Sequence, residues 1–288
     1  MTPLLQQLLA YSPVVLDGGW GTQLQARGLK PGEIPDSWNL THPAEVEAVG
    51  ATYADAGSQV ILTNTFGANR IALSRDGLQT RVGDINRIGV ELSRLGTRGR
   101  AYVFASIGPT GKMLLGGEVS EEEVRAAFLE QAESIARAGA DGIVVETMSD
   151  LDEATIAVAA AHSTGLPVVA CMSFDSGKAK DRTIMGITPE QAVAALSQAG
   201  ADVIGANCGQ SIEGYLPLVE RLHRASSLPL WIKPNAGTPQ LVNGAAVYRQ
   251  TPQEFSAHVR SLVNAGAQFI GGCCGTTPEF VRAIREVL

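Results

Sequence analysis

Short apolar runs alternate with longer amphipathic segments eight times along this chain. The runs occupy positions 13–17, 59–63, 101–106, 142–146, 167–172, 202–205, 229–233 and 268–271. Each is a continuous Val/Ile-rich stretch, which is what a parallel sheet covered on both faces demands. The segments between the runs carry helix signals. Ala56-Gly-Ser58, Ala138-Gly-Ala-Asp141, Ala199-Gly-Ala-Asp202 and Ala265-Gly-Ala267 each set a glycine just before a run, where a left-handed residue stops a helix. Ser120-Glu-Glu-Glu123, Thr188-Pro-Glu-Gln191 and Thr251-Pro-Gln-Glu254 read as capping boxes, and Thr277-Pro278 as a further cap. Eight β/α units predict an α/β protein, a (β/α)8 TIM barrel, with an open doubly wound sheet as the alternative. Without a Pro- or Ser-rich linker, positions 1–288 read as one domain.

Composition narrows the function. With 45% hydrophobic and 18% charged residues the chain can bury a large core. A net charge of −7 and the lack of a Lys/Arg cluster argue against a nucleic-acid partner. No run of 18 apolar residues occurs and the N-terminus lacks a basic start, so the expectation is a soluble, cytoplasmic protein with no membrane partner. Four cysteines are too few for a disulfide scaffold of this size.

The cysteines are where the chemistry lies. Cys208 follows the sixth apolar run, and Cys273 and Cys274 follow the eighth in Gly271-Gly-Cys-Cys-Gly275, so a barrel brings three thiols to one mouth. Three thiolates favour zinc and leave a fourth tetrahedral position for substrate. Adjacent residues of a regular strand point to opposite faces, so both members of the pair can reach one ion only where the strand has ended or kinked. The surrounding glycines make that inexpensive. A buried thiol pair or a vicinal disulfide are the alternatives; the matching Cys208 favours metal. Cys171, among apolar neighbours, reads as a core thiol, and His42, His162, His223 and His258 lie away from the strand ends.

Other strand ends gather more polar groups: Asp17-Gly-Gly-Trp-Gly-Thr22, Asn64-Thr-Phe-Gly67, Glu146-Thr147, Asn207 and Pro234-Asn-Ala-Gly237. With Thr63, Ala68-Asn69, Gly108-Pro-Thr-Gly111 and Gly271-Gly-Cys-Cys-Gly-Thr-Thr-Pro278, these stretches resemble the zinc-dependent homocysteine S-methyltransferases, nearly end to end. Asn64-Thr-Phe-Gly and Pro234-Asn-Ala-Gly look most like the homocysteine-binding barrel of cobalamin-dependent methionine synthases.

The resemblance implies that homocysteine sulfur fills the fourth position of a zinc ion (Zn2+) held by Cys208, Cys273 and Cys274, and is methylated to methionine. By charge, Asp17 and Glu146 would face the substrate ammonium, and N–H groups of the Gly18, Gly19 and Gly21 turn its carboxylate. Asp17 as a helix cap and Glu146 as a barrel salt bridge are the alternatives. Asn64 and Asn207 are substrate-binding candidates that could instead tie loops together. Asn235 is a candidate oxygen ligand of the substrate-free site, or a turn residue. The chain ends just past the last barrel helix, so a separate corrinoid protein or a diffusible onium compound such as S-methylmethionine or betaine is expected to deliver the methyl group. Trp20, Phe66, Phe104, Phe174 and Tyr248 are the aromatics expected near the mouth, with the loop 108–117 shaping donor access. A non-catalytic zinc/homocysteine-binding protein and a methyltransferase of another small thiol remain as alternatives. A zinc aldolase or hydrolase is disfavoured, because such sites use His and carboxylate ligands.

Overall fold

The computed structural model describes residues 1–242 and 245–288. Strands β1 (Val14–Val15), β2 (Val60–Ile61), β3 (Tyr102–Ile107), β4 (Gly142–Met148), β5 (Val168–Met172), β6 (Val203–Ser211) and β7 (Leu230–Asn235) are joined by the hairpin β8 (Gln240–Val242) and β9 (Ala245–Val247) to β10 (Ala267–Ile270). Eight of them, all but the hairpin, form one parallel sheet in the order β1-β10-β7-β6-β5-β4-β3-β2. A parallel bridge between Leu16 and Val60 brings the two edges together, so the sheet closes as a barrel with helices outside.

The continuous apolar runs find their explanation here. Val14 and Leu16, Val60 and Leu62, Val144, Val169, Val203, Trp231 and Phe269 pack in the barrel interior. Their neighbours Val15, Ile61, Val145, Val168, Ile204, Ile232 and Ile270 pack outward under the helices. Neither face meets water, so neither needs polar alternation. Phe104, Trp231 and Phe269 stack across the interior, with centroids 6.1 and 5.4 Å apart for successive pairs. Leu5 and Leu8 of the first helix, Pro3–Leu9, join this inner cluster, a plug that the apolar pattern did not announce.

The glycines Gly57, Gly139, Gly200 and Gly266 all have positive φ, as the local repeat requires. The three capping boxes form, with Ser120, Thr188 and Thr251 each bonded reciprocally to the residue three positions on. Thr277 differs: it stands at the N-cap of Pro278–Val287, but its hydroxyl goes to the Glu279 carboxylate, not to a backbone N–H. Strands β4, β6 and β7 run past their apolar runs, with register shifts between Val145 and Met148 and between Asn207 and Ser211. Such irregularities re-aim side chains at a barrel rim. Among the described residues no helix is long and apolar enough to cross a membrane.

Candidate active site

Three sulfurs meet at the C-terminal mouth. Cys208 lies in the extended end of β6, Cys273 and Cys274 just beyond β10, and their Sγ atoms all lie within 4.8 Å of one another. Cys208 and Cys274 are 3.8 Å apart, too far for a disulfide. Ligands about 2.3 Å from a tetrahedral zinc ion would stand about 3.8 Å from each other, so this donor set fits zinc in number, chemistry and spacing. Without a cation the three thiols cannot ionise together. Cys208 is held low by S–H donation from Cys273 and Cys274, and those two are held high, Cys274 at about 12.

Backbone geometry delivers the sulfurs. Cys208 has φ 60°, a left-handed residue that breaks the β6 alternation. Beyond β10 the chain ends its strand at Gly271 and turns so closely that a Cβ on Gly271 would lie 2.6 Å from the Asp17 carbonyl oxygen, and one on Gly272 would overlap Thr276. The Thr276 hydroxyl in turn donates to the Cys273 carbonyl at 2.7 Å, and the Cys273 N–H to the Pro234 carbonyl at 2.7 Å. That kinked turn lets two adjacent cysteines face one point.

Glu146 stands beside the sulfurs at the end of β4, 7% exposed, accepting from the Ser106 hydroxyl at 2.5 Å and the Asn207 amide at 3.1 Å. The same amide donates to the Thr147 hydroxyl at 2.7 Å and approaches Cys273 Sγ at 3.7 Å, while Asn207 Oδ1 accepts the Thr147 N–H at 2.7 Å. Thr147 needs this clamp. It is β-branched yet has φ 60°, a conformation that costs on the order of 1–3 kcal/mol unless its surroundings impose it. Burial pushes the Glu146 carboxyl up, and nearby Lys233 and the Ser106 hydroxyl oppose that.

Lys233, from β7, is the largest omission of the sequence reading. It is 2% exposed and ion-paired with fully buried Asp17. Burial alone would lower its pKa, but Asp17 and Glu146 together hold the ammonium above its ordinary value. Its signal in the sequence was a lysine closing an otherwise apolar run, Pro229-Leu-Trp-Ile-Lys233.

Above these groups opens a cavity of about 820 Å³. Cys208, Cys273, Cys274, Glu146 and Lys233 form one part of its wall; Trp20, Phe66, Tyr248 and Asp36 are among the others. Residues 109–112 of the predicted access loop also line it. Phe104 and Phe174 do not: both are buried in the hydrophobic core.

A family model described as homocysteine S-methyltransferase matches residues 14–288. The chain belongs to the homocysteine S-methyltransferase family. It is 30% identical to the methionine synthase of Mycobacterium tuberculosis over 97% of its own length, and 30% identical to that of Mycobacterium leprae over the same share. It spans only 25% and 24% of those proteins. In fold it is similar to the homocysteine methyltransferase MmuM of Escherichia coli. The TM-score is 0.83 to the oxidized form, at 23% identity and with 99% of both chains covered. To the metallated form it is 0.82, at 24% identity, covering 98% of this chain and 99% of the other.

Asp17 neither caps the next helix, whose N-cap is Gly19, nor lines the cavity. Its carboxylate accepts from Trp20 Nε1 at 2.7 Å and the Leu62 N–H at 2.8 Å as well as from Lys233. The Gly19 N–H is taken by the Thr276 hydroxyl at 3.1 Å, and a Cβ there would lie 2.6 Å from the Cys273 carbonyl oxygen, so that glycine serves close packing. Gly18, Gly19 and Gly21 all line the cavity. Asn64 lines it too, but its amide ties loops together through the Pro35 carbonyl at 2.7 Å and Asn39 Oδ1 at 3.0 Å. Asn207 is wholly buried and acts through Glu146 and Thr147. Asn235 Oδ1 accepts the Cys274 N–H at 3.1 Å, and its side chain hydrogen-bonds the Cys208 sulfur, which sets it directly beside the cysteines. Cys171 is buried among barrel side chains, as expected of a core thiol.

Proposed function

We propose that this chain methylates homocysteine to methionine and that Cys208, Cys273 and Cys274 hold a zinc ion for that reaction. The observation that carries the reading is the meeting of three sulfurs, from strand ends 273 − 208 = 65 positions apart, in a cavity that also presents Glu146. Bound there, zinc supplies the Lewis acidity that keeps a thiol of ordinary pKa about 8.5 in its thiolate form at neutral pH.

The residues of the chain do the orienting. Glu146, fixed by Ser106 and Asn207, receives the homocysteine ammonium, and Lys233 from below opposes the burial that pushes its carboxyl up. The remaining N–H groups of the Gly18–Gly21 turn take the carboxylate. With both ends of the amino acid held, the sulfur faces the open part of the cavity and displaces the methyl group from its donor. A new S–C bond forms, the donor–methyl bond breaks, and its electron pair stays on the donor. Holding both partners in line supplies much of the acceleration.

The test is to reduce the purified protein, load it with zinc, and follow methionine by mass spectrometry with homocysteine and, in turn, methylcobalamin, S-methylmethionine and betaine. One donor is expected to give multiple turnovers that a chelator abolishes and zinc restores. Failure with every donor would refute the assignment as a methyltransferase.

A further inference from the structure

The stretch Thr63-Asn-Thr-Phe-Gly-Ala-Asn69 follows β2, and its two threonines take no part in the reaction as described. Thr63 lines the cavity, and Thr65, 0% exposed, does not. Both answer a gap in the sheet. β2 pairs with β3 at Val60 and Ile61 and then leaves it, while β3 continues to Ile107. Along that edge the backbone of buried Ser106 has no strand opposite, and an unpaired buried N–H or C=O costs about as much as a lost hydrogen bond.

Side chains take the place of the missing strand. The Ser106 N–H donates to Thr63 Oγ1 at 3.1 Å, and the Thr65 hydroxyl donates to the Ser106 carbonyl at 2.8 Å. The two threonine oxygens are 2.5 Å apart. A hydroxyl has one proton, and that of Thr65 is already given to Ser106, so the Thr63 proton goes to Thr65 Oγ1. The three bonds close a ring that runs in one sense, from Ser106 to Thr63 to Thr65 and back to Ser106. Gln131 of the helix Glu121–Arg137, itself wholly buried, braces this ring by donating to the Thr65 carbonyl at 2.8 Å. The Thr65 methyl seats against Gly89 of the helix Val82–Thr97, where a Cβ would lie 2.6 Å from it. Both backbone groups of Ser106 are therefore fixed. Its hydroxyl, which donates to Glu146 at 2.5 Å, is carried by that backbone, and this donation favours the charged carboxylate against burial.

We infer that Thr65, acting through Thr63 and Ser106, is a positioning residue for the Glu146 carboxylate, and that the ring sets selectivity for thiols that bear an ammonium group. This rests on the reading of Glu146 as the partner of the homocysteine ammonium. A charge-assisted hydrogen bond weakens steeply as its angle opens, so a small displacement of the carboxylate reduces the hold on the ammonium and leaves the thiol end untouched.

The test is Thr65→Val, which keeps the side-chain volume and removes the hydroxyl. Zinc-loaded protein is titrated calorimetrically with homocysteine and with 4-mercaptobutanoate, the same thiol acid without its amino group. In the variant the Kd of homocysteine is expected to rise about tenfold, with that of 4-mercaptobutanoate within about twofold of the parent. Thr63→Val, which opens the ring at another point, should give the same pattern. Thr65→Ser, which retains the hydroxyl, should stay within about threefold of the parent for both ligands. An equal loss for the two thiols, or no loss for either, overturns the inference and leaves the threonines as loop packing. A parent that binds both thiols equally overturns the Glu146 reading and the inference with it, while methionine formation by the same preparation shows whether the methyltransferase reading stands.

Discussion

Replacing Lys233 with methionine tests how the floor of the site is held together. The substitution keeps most of the side-chain volume but leaves Asp17, 0% exposed, without its counter-charge and Glu146 without a neighbouring cation. Removing one partner of a buried ion pair costs about 3–5 kcal/mol, because the other charge stays buried. Asp17 retains two donors, Trp20 Nε1 and the Leu62 N–H, which moves the expectation to about 3 kcal/mol. Urea unfolding at pH 7 measures it. The pairing itself is isolated by the double variant Asp17→Asn/Lys233→Met, in which neither charge is stranded. It should be more stable than the sum of the two single losses predicts, by about 2 kcal/mol or more. Single losses that add to within about 0.5 kcal/mol would show that Lys233 and Asp17 are not coupled, and the account of the floor would fall.

Other expectations follow from the same contacts. Cys208→Ala and Cys273→Ala should each lose stoichiometric zinc, read by elemental analysis, and activity, while circular dichroism stays unchanged; full zinc in both would defeat the ligand assignment. Gly272→Ala should do the same with every ligand present, because its Cβ would overlap Thr276 and displace the cysteine turn. Asn207→Ala releases the left-handed Thr147 and one partner of Glu146, and should raise the KM for homocysteine about tenfold with a stability loss of about 1–3 kcal/mol in thermal unfolding; an unchanged KM would remove Asn207 from the site. For Asp36 the sign is fixed by its pKa, which is higher folded, at about 7, than its ordinary 3.8. The folded state holds that proton more tightly, so the contribution of Asp36 to stability is full below about pH 4 and is lost as the pH rises through about 7. Asp36→Asn lacks this loss and should exceed the parent's stability at pH 8, by up to about 4 kcal/mol, but not at pH 4; parallel stability curves would contradict it.

What the sequence made legible was whatever follows a period. Val14 and Val15, or Val144 and Val145, bury opposite faces of one strand, so eight unbroken runs could mean little other than a two-sided parallel sheet. The sulfur trio was legible for a related reason: once Cys208 and Cys273 both follow strands, the barrel puts them at one mouth. Pairwise electrostatics were not. Asp17 and Glu146 were equivalent as carboxylates at strand ends, and only the course of β7 shows that Lys233 pairs with Asp17 and stands near Glu146. Asp36 lay in a connection with no period to flag it. Thr147 at φ 60° is a conformation that its residue type argues against, and the partner that enforces it, Asn207, lies 60 positions away.

The three sulfurs also act on the chain that carries them. Cys208 leaves from β6 and the pair from β10, with β7 lying between those strands in the sheet, so an ion held by all three fastens the final third of the wall into a ring. Closing a loop of 273 − 208 = 65 positions restricts the unfolded ensemble by about 4 kcal/mol on the same reasoning used for a disulfide. Such a clasp can be undone by a chelator without reductant. Metal supply would then govern the lifetime of the protein as well as its catalysis, and the first peptide bonds to become vulnerable to a protease on demetallation would be those between β6 and β10.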